Sequence, residues 1–148
     1  MFKHILVPTD GSELSDLAVR RAISFAKEGG AKITFFFARP NTAASIYGET
    51  ALLRSMDPEA LQKVVHGRAQ EILTKAESLA KEAGVAFDSL SSASNGEPYE
   101  EIIDTASERG CDLILMASHG YRGIKGLLLG SQTQKVLIYS KIPVLVYR

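Results

Sequence analysis

The sequence predicts an α/β fold, with a five-stranded parallel sheet covered by helices on both faces in a three-layer α/β/α sandwich, as one domain over residues 1–148. Three observations carry this expectation. Short apolar runs at residues 5–7, 33–37, 113–117 and 143–147 read as strands buried on both faces. Longer segments with apolar residues at helical spacing lie between them. At each junction stands a proline, a glycine or an N-capping residue, so the two patterns alternate as parallel strands and crossover helices do, with right-handed connections expected.

The elements follow in order. Ile5-Leu6-Val7 is a short strand ending at Pro8-Thr9-Asp10-Gly11-Ser12. Ser12 is placed to cap the next helix, and Glu13 and Asp16 suit its positive end. Leu14, Ala18, Val19, Ala22, Ile23 and Ala26 form one face of that helix, and Gly29-Gly30 stops it. Residues 33–37 make the second strand, closed by Arg39-Pro40. Residues 41–56 show no clean period and read as a mobile, lid-like insertion. Asp57-Pro58 then supplies a cap and an N1 proline for a long helix reaching about Ala83 before Gly84. Val85, Phe87 and Leu90 mark a weaker strand near a sheet edge. The turn Asn95-Gly96-Glu97-Pro98 opens a helix over residues 99–109, followed by the fourth strand, residues 113–117. A short helix over residues 132–139 and a last strand, residues 143–147, complete the chain.

Bulk properties narrow the function. Seventeen basic and seventeen acidic side chains leave no net charge, which speaks against nucleic acid or an anionic membrane as the main partner. The single cysteine, Cys111, fits a reducing, cytoplasmic setting and reads as a small packing residue rather than a nucleophile. No apolar run approaches the roughly 18 residues of a membrane span. Met1-Phe2-Lys3-His4 runs directly into a strand and leaves no room for a signal peptide.

The most informative stretch is Met116-Ala117-Ser118-His119-Gly120-Tyr121-Arg122-Gly123, continued by Lys125, Gly126 and Gly130-Ser131. A buried-type strand runs into a glycine-rich loop that carries Arg122 and Lys125 but no acid, and a helix follows. Glycine lets backbone approach a ligand closely. The unpaired amides at the start of the next helix, with its dipole, favour an anion there. Ser131 sits where an N-cap hydroxyl belongs. The pattern is that of a phosphate-binding loop. A mobile surface connection is the plainer alternative. Because ligands in such sheets lie beyond the strand carboxyl ends, where strand order reverses, residues 8–12 and 117–130 should face one another across a crevice.

These residues resemble the universal stress protein family, in its ATP-binding branch, from Lys3 to the C-terminus. Ile5-Leu6-Val7-Pro8-Thr9-Asp10-Gly11-Ser12, the loop over residues 116–131 and Ile142-Pro143-Val144-Leu145-Val146 carry the likeness. That branch has glycine, two residues, glycine, nine residues, then glycine and serine or threonine. Gly120, Gly130 and Ser131 match, whereas the first glycine falls on Ala117. Were φ positive there, a non-glycine residue would cost roughly 1–3 kcal/mol, about tenfold or more in affinity. Were φ negative, the methyl would only crowd the ligand, and the intact remainder of the pattern favours that case.

The resemblance implies a Rossmann-like, adenine nucleotide hydrolase-like fold with sheet order 3-2-1-4-5, and dimers paired through the last strand. It places Asp10 and Ala38 along an adenine, with Pro8 and Thr9 as pocket wall. Ala117, Ser118, His119, Gly120, Tyr121, Arg122 and Gly123 would meet ribose and phosphates, and Gly130, Ser131, Gln132 and Thr133 would complete the cradle. It implies ATP, or ADP or AMP, as ligand, with magnesium held through the phosphates. The function implied is a dimeric, nucleotide-dependent stress-response module with a regulatory protein partner.

Single residues temper that picture. His119 has no visible acid–base partner, and a structural role is the simpler reading. Asp10 lacks a second carboxylate for a metal, so a ligand hydrogen bond or a capping role suits it better. Arg122 and Lys125 either steer anions or form an ordinary solvated face. His4 and His66 show no metal-ligand spacing, and Phe35, Phe36 and Phe37 read as packing. No catalytic residue is assigned, and slow ATP hydrolysis stays open. An adenylate-forming enzyme would carry Ser-Gly-Gly-x-Asp-Ser after the first strand where Thr9-Asp10-Gly11-Ser12 stands, and no Walker sequence occurs. A receiver domain would need a phosphoacceptor aspartate where Ser91-Ser92-Ala93-Ser94 stands. A nucleotide-free dimeric scaffold remains the alternative within the family.

Overall fold

The computed structural model describes residues 1–39, 57–92, 96–120 and 129–148. Five strands, β1 (His4–Pro8), β2 (Lys32–Phe37), β3 (Phe87–Ser91), β4 (Leu113–Ala117) and β5 (Val144–Tyr147), alternate with α1 (Glu13–Gly29), α2 (Pro58–Ala83), α3 (Pro98–Glu108) and α4 (Ser131–Tyr139). All four strand pairings are parallel and the order is β3-β2-β1-β4-β5. The insertion expected over residues 41–56 lies outside the described residues.

Why both faces of the strands are apolar becomes clear from the packing. Side chains alternate across a sheet. Ile5, Val7, Ile33, Phe35, Phe37, Leu113, Leu115 and Ala117 therefore share one face with α1 and α2 in a single buried cluster. Leu6, Phe36, Ile114 and Met116 point the other way, onto Ile102 and Ala106 of α3 and Val136 of α4. The three consecutive phenylalanines are each at most 1% exposed, which only a sheet covered twice permits.

The helix ends follow their capping residues. Ser12 caps α1 by accepting from the Ser15 amide, and Asp57 caps α2 by accepting from the Ala60 amide at 2.8 Å. Gly30 and Gly84 close the two helices in the left-handed conformation that a side chain resists. Two expectations shift. Leu14 is half-buried, and Ser15 takes its place on the buried stripe of α1. Val85 is not a strand residue: its amide donates to the Ala80 carbonyl, completing the cap of α2, and β3 begins at Phe87.

Candidate functional site

Two loops leave the carboxyl ends of neighbouring strands β1 and β4, on either side of the point where chain order in the sheet reverses. The geometry of β1 explains why a crevice opens there. Lys3 and Thr9 hydrogen-bond towards β2, through Lys32 N–H to the Lys3 carbonyl and Thr9 N–H to the Phe36 carbonyl. His4 faces the other way and accepts from the Asp112 amide at 2.9 Å. Even positions of β1 thus face β4, and position 8 is a proline with no N–H to give. The β1–β4 register accordingly covers Ile5–Leu113 and Leu6–Ile114, whereas the β1–β2 register runs on to Pro8–Phe36.

The first loop is braced from below by hydroxyl groups. Thr9 and Ser15 are buried and their hydroxyls lie 2.7 Å apart. Ser15 Oγ also accepts from the Asp10 amide at 3.2 Å. Asp10 turns back on its own loop, its Oδ1 accepting from the Ser12 amide at 2.9 Å, which is an Asx turn. Gly11 takes the positive φ, 79°, that this turn needs. The other oxygen of Asp10 faces the second loop. A Cβ built on Gly120 would stand 2.0 Å from Asp10 Oδ2, so a side chain at 120 would displace that carboxylate from its present place.

The second loop is clipped shut. The Gly130 amide donates to the Ser118 carbonyl at 2.6 Å, and a Cβ on Gly130 would meet that carbonyl and His119 Cα, each at 3.3 Å. Ser118 is itself fixed by donating its amide to the Tyr147 carbonyl, and its hydroxyl lies 3.2 Å from His119 Nδ1. Thr133 Oγ1 donates to the Ala117 carbonyl at 3.0 Å, tying the first turn of α4 to the end of β4. The first helical bond of α4 runs from the Gln134 amide to the Gly130 carbonyl, so the amides of residues 131–133 have no acceptor inside the helix.

Several expected site residues take more specific places. Gly130, not Ser131, is the N-cap of α4; its φ and ψ of −68° and 159° are extended, and Ser131 is the first helical residue. The cap carries no side chain because His119 and Ser118 pack against it. Ala117 lies within β4, paired with Tyr147, and its methyl belongs to the core cluster shared with α1. The strained backbone considered for that position does not arise. Gln132 turns its side chain to α3, accepting from the Tyr99 amide at 2.9 Å and donating towards Glu97. Ala38 packs against the α3 and α4 side of the sheet. Tyr121, Arg122 and Gly123, together with Lys125 and Gly126, lie outside the described residues.

Two positioning residues escaped the sequence reading. Ser15 falls on the same helical stripe as Ala18, Val19 and Ala22, and a hydroxyl on an apolar stripe is the signal that points to it. Glu97 receives Gln132 and lies 3.9 Å from Lys135 Nζ, joining α3 to α4 at the cradle end of the sheet. Cys111 is buried, and burial, with Asp88 and Asp112 adding to it, pushes its thiol up to about 11, so it holds no thiolate for chemistry. Among the described residues no helix is long and apolar enough to cross a membrane.

Known proteins resemble the chain in sequence and in fold. The sequence profile of the universal stress protein family matches residues 1–148. The universal stress protein YxiE of Bacillus subtilis is 32% identical, with all of both chains covered. The universal stress protein MJ0577 of Methanocaldococcus jannaschii is 30% identical over all of this chain and 96% of its own. The solved structure of MJ0577 superposes with a TM-score of 0.74 at 28% identity, covering 99% of this chain and 95% of that one. A universal stress protein solved in complex with cAMP superposes at 0.68 with 27% identity, covering 99% and 97%. The chain belongs to the universal stress protein family.

Proposed function

We propose that this chain binds an adenine nucleotide, ATP foremost with ADP and AMP as alternatives, in the crevice between the β1–α1 and β4–α4 loops. Bound nucleotide makes it a dimeric regulatory module of the stress response, acting through a protein partner. The observation that carries the reading is the clip between Gly130 and Ser118. It sets the backbone of Ser118 and His119 against the N-cap of α4, where amides 131–133 and the helix dipole offer an anion site and where a Cβ at position 130 would press on Ser118 and His119. The relative solved with cAMP supports an adenine ligand. The side chains of Gln132 and Thr133 are engaged within the protein, so these residues serve the phosphates through their amides. Asp10, at the mouth of the crevice, is a polar partner for the base or ribose, and Ala38 lies along the base. Magnesium comes with the phosphates. The reading assigns no catalytic group, and any hydrolysis is slow.

Dimerisation through β5 fits the edge position and half-burial of that strand, beside the exposed Leu137, Ile138 and Tyr139 of α4. Mass spectrometry of denatured, freshly purified protein tests the ligand. An adenine nucleotide should co-purify, and Gly130→Val should abolish its retention. If neither wild type nor variant carries or takes up any adenylate by calorimetry, the nucleotide-free scaffold is the correct reading.

A further inference from the structure

A second concavity among the described residues lies apart from the β1–β4 crevice. A groove of about 450 Å³ lies between the N-terminal turns of α2 and the carboxyl ends of β2 and β3. Its floor is apolar: Phe37, Val65 and Ala69 are each less than a tenth exposed. Its walls carry Arg39, Lys63 and His66, with Glu59 the only acid among the described residues lining it. Gln62 and Ser91 add hydrogen-bonding groups, and the positive end of the α2 dipole points the same way. An apolar floor beneath a wall that bears Arg39 and Lys63 suits a ligand with an apolar body and an anionic head. The volume lies within the range of small-molecule sites, about 300–1,000 Å³.

The groove sits on the α2 side of the sheet, with Phe37 in the cluster under α1 and α2. The next residue, Ala38, packs on the opposite side, against the cluster under α3 and α4. The end of β2 therefore presents one residue to the groove and the next to the proposed adenine position. We propose that this groove is a second, effector site for a small organic anion: an aromatic or similarly flat apolar body bearing a phosphate, sulfonate or carboxylate. An occupant there bears on the end of β2, and through it on Ala38. The groove itself owes nothing to the nucleotide reading; only its effect on the crevice does.

The test uses 1-naphthyl phosphate as probe, with 1-naphthol and inorganic phosphate supplying body and head alone. Binding is followed by NMR of the Val65 methyl groups and by calorimetry. The probe should shift the Val65 methyl signals and bind about tenfold more tightly than either part alone. The exposed pair Lys63→Glu and His66→Glu, made together, should weaken it by about tenfold, with the circular dichroism spectrum unchanged. Gly130→Val should leave probe binding intact even as it removes nucleotide retention. Unchanged affinity in the double variant overturns the proposal. So does loss of the probe in Gly130→Val, which would place it in the crevice. A probe that binds as expected but does not alter nucleotide affinity retains the site and overturns its effector role.

Discussion

Gly120→Ala, combined with Asp10→Ala, tests the contact between the two loops. The new Cβ would stand 2.0 Å from Asp10 Oδ2 and 3.1 Å from Cγ, against a favourable separation of about 3.5–4 Å. Asp10 can turn aside only by giving up its bond from the Ser12 amide, 2.9 Å long. A hydrogen bond to a charged group contributes about 1.5–3 kcal/mol and a neutral one about 0.5–1.5. At a half-buried loop the expected loss is about 1–2 kcal/mol, or roughly 2–8 °C in Tm for a chain of this size. Asp10→Ala forfeits the same bond and should cost a similar amount. In the double variant the obstruction is gone, so Gly120→Ala should then add only a few tenths of a kcal/mol, about the limit of additivity for independent sites. Urea unfolding of the four proteins without nucleotide gives the coupling, expected at about −1 to −2 kcal/mol. If the two losses simply add, Asp10 does not rest against Gly120 and the account of the crevice mouth is wrong.

Phe36→Ala removes a side chain that is 1% exposed between β2 and α3, and should cost about 3–5 kcal/mol by urea unfolding; a loss under about 1 kcal/mol would deny the second core. Acid should destabilise in two steps. Burial and the nearby Lys32 hold His4 below its ordinary 6.5, so stability from its neutral form is present above that value and is lost as pH falls through the lowered one. Burial alone would raise the Asp88 carboxyl, but the Thr34 hydroxyl and Lys32 outweigh it and hold it below 3.8, so that contribution disappears only below 3.8. His4→Gln should flatten the first limb of the stability–pH curve and leave the second. Cys111 should resist a thiol reagent at pH 8 in the native protein and react fully in denaturant; rapid native labelling would contradict its burial. In β5, the Pro143 and Tyr147 carbonyls bond to β4, so even positions face the open edge. Val146→Pro should spare the fold but dissociate the dimer proposed through this edge, as read by sedimentation velocity against wild type, and a dimer left unaltered would place the interface elsewhere.

The layered fold was legible because its cause is local. A strand covered on both faces must be apolar throughout, and Phe35, Phe36 and Phe37 advertise this without reference to any other residue. Caps at Ser12, Asp57 and Gly84 are equally local, and each is found where its residue type predicts. What could not be read depends on contacts distant in sequence. The His4 ring meets Thr34 at 2.6 Å and Thr34 donates to Asp88, a chain across three strands that no spacing announces. That Gly130 and not Ser131 is the cap is of the same kind: position 130 sits tightly against the His119 backbone, eleven positions earlier, where a Cβ would stand at 3.3 Å. Spacing alone does not reveal that the Gln132 side chain is held by the Tyr99 amide of α3, thirty-three positions earlier.

Pro8 matters for more than the opening beside it. The ladder from β1 to β4 runs through His4 and Leu6 and stops where Pro8 begins, so beyond it the two halves of the sheet are joined by the core under α1, which takes in Val7, Leu115 and Ala117. A proline at that point parts two strands without loosening the layer beneath them.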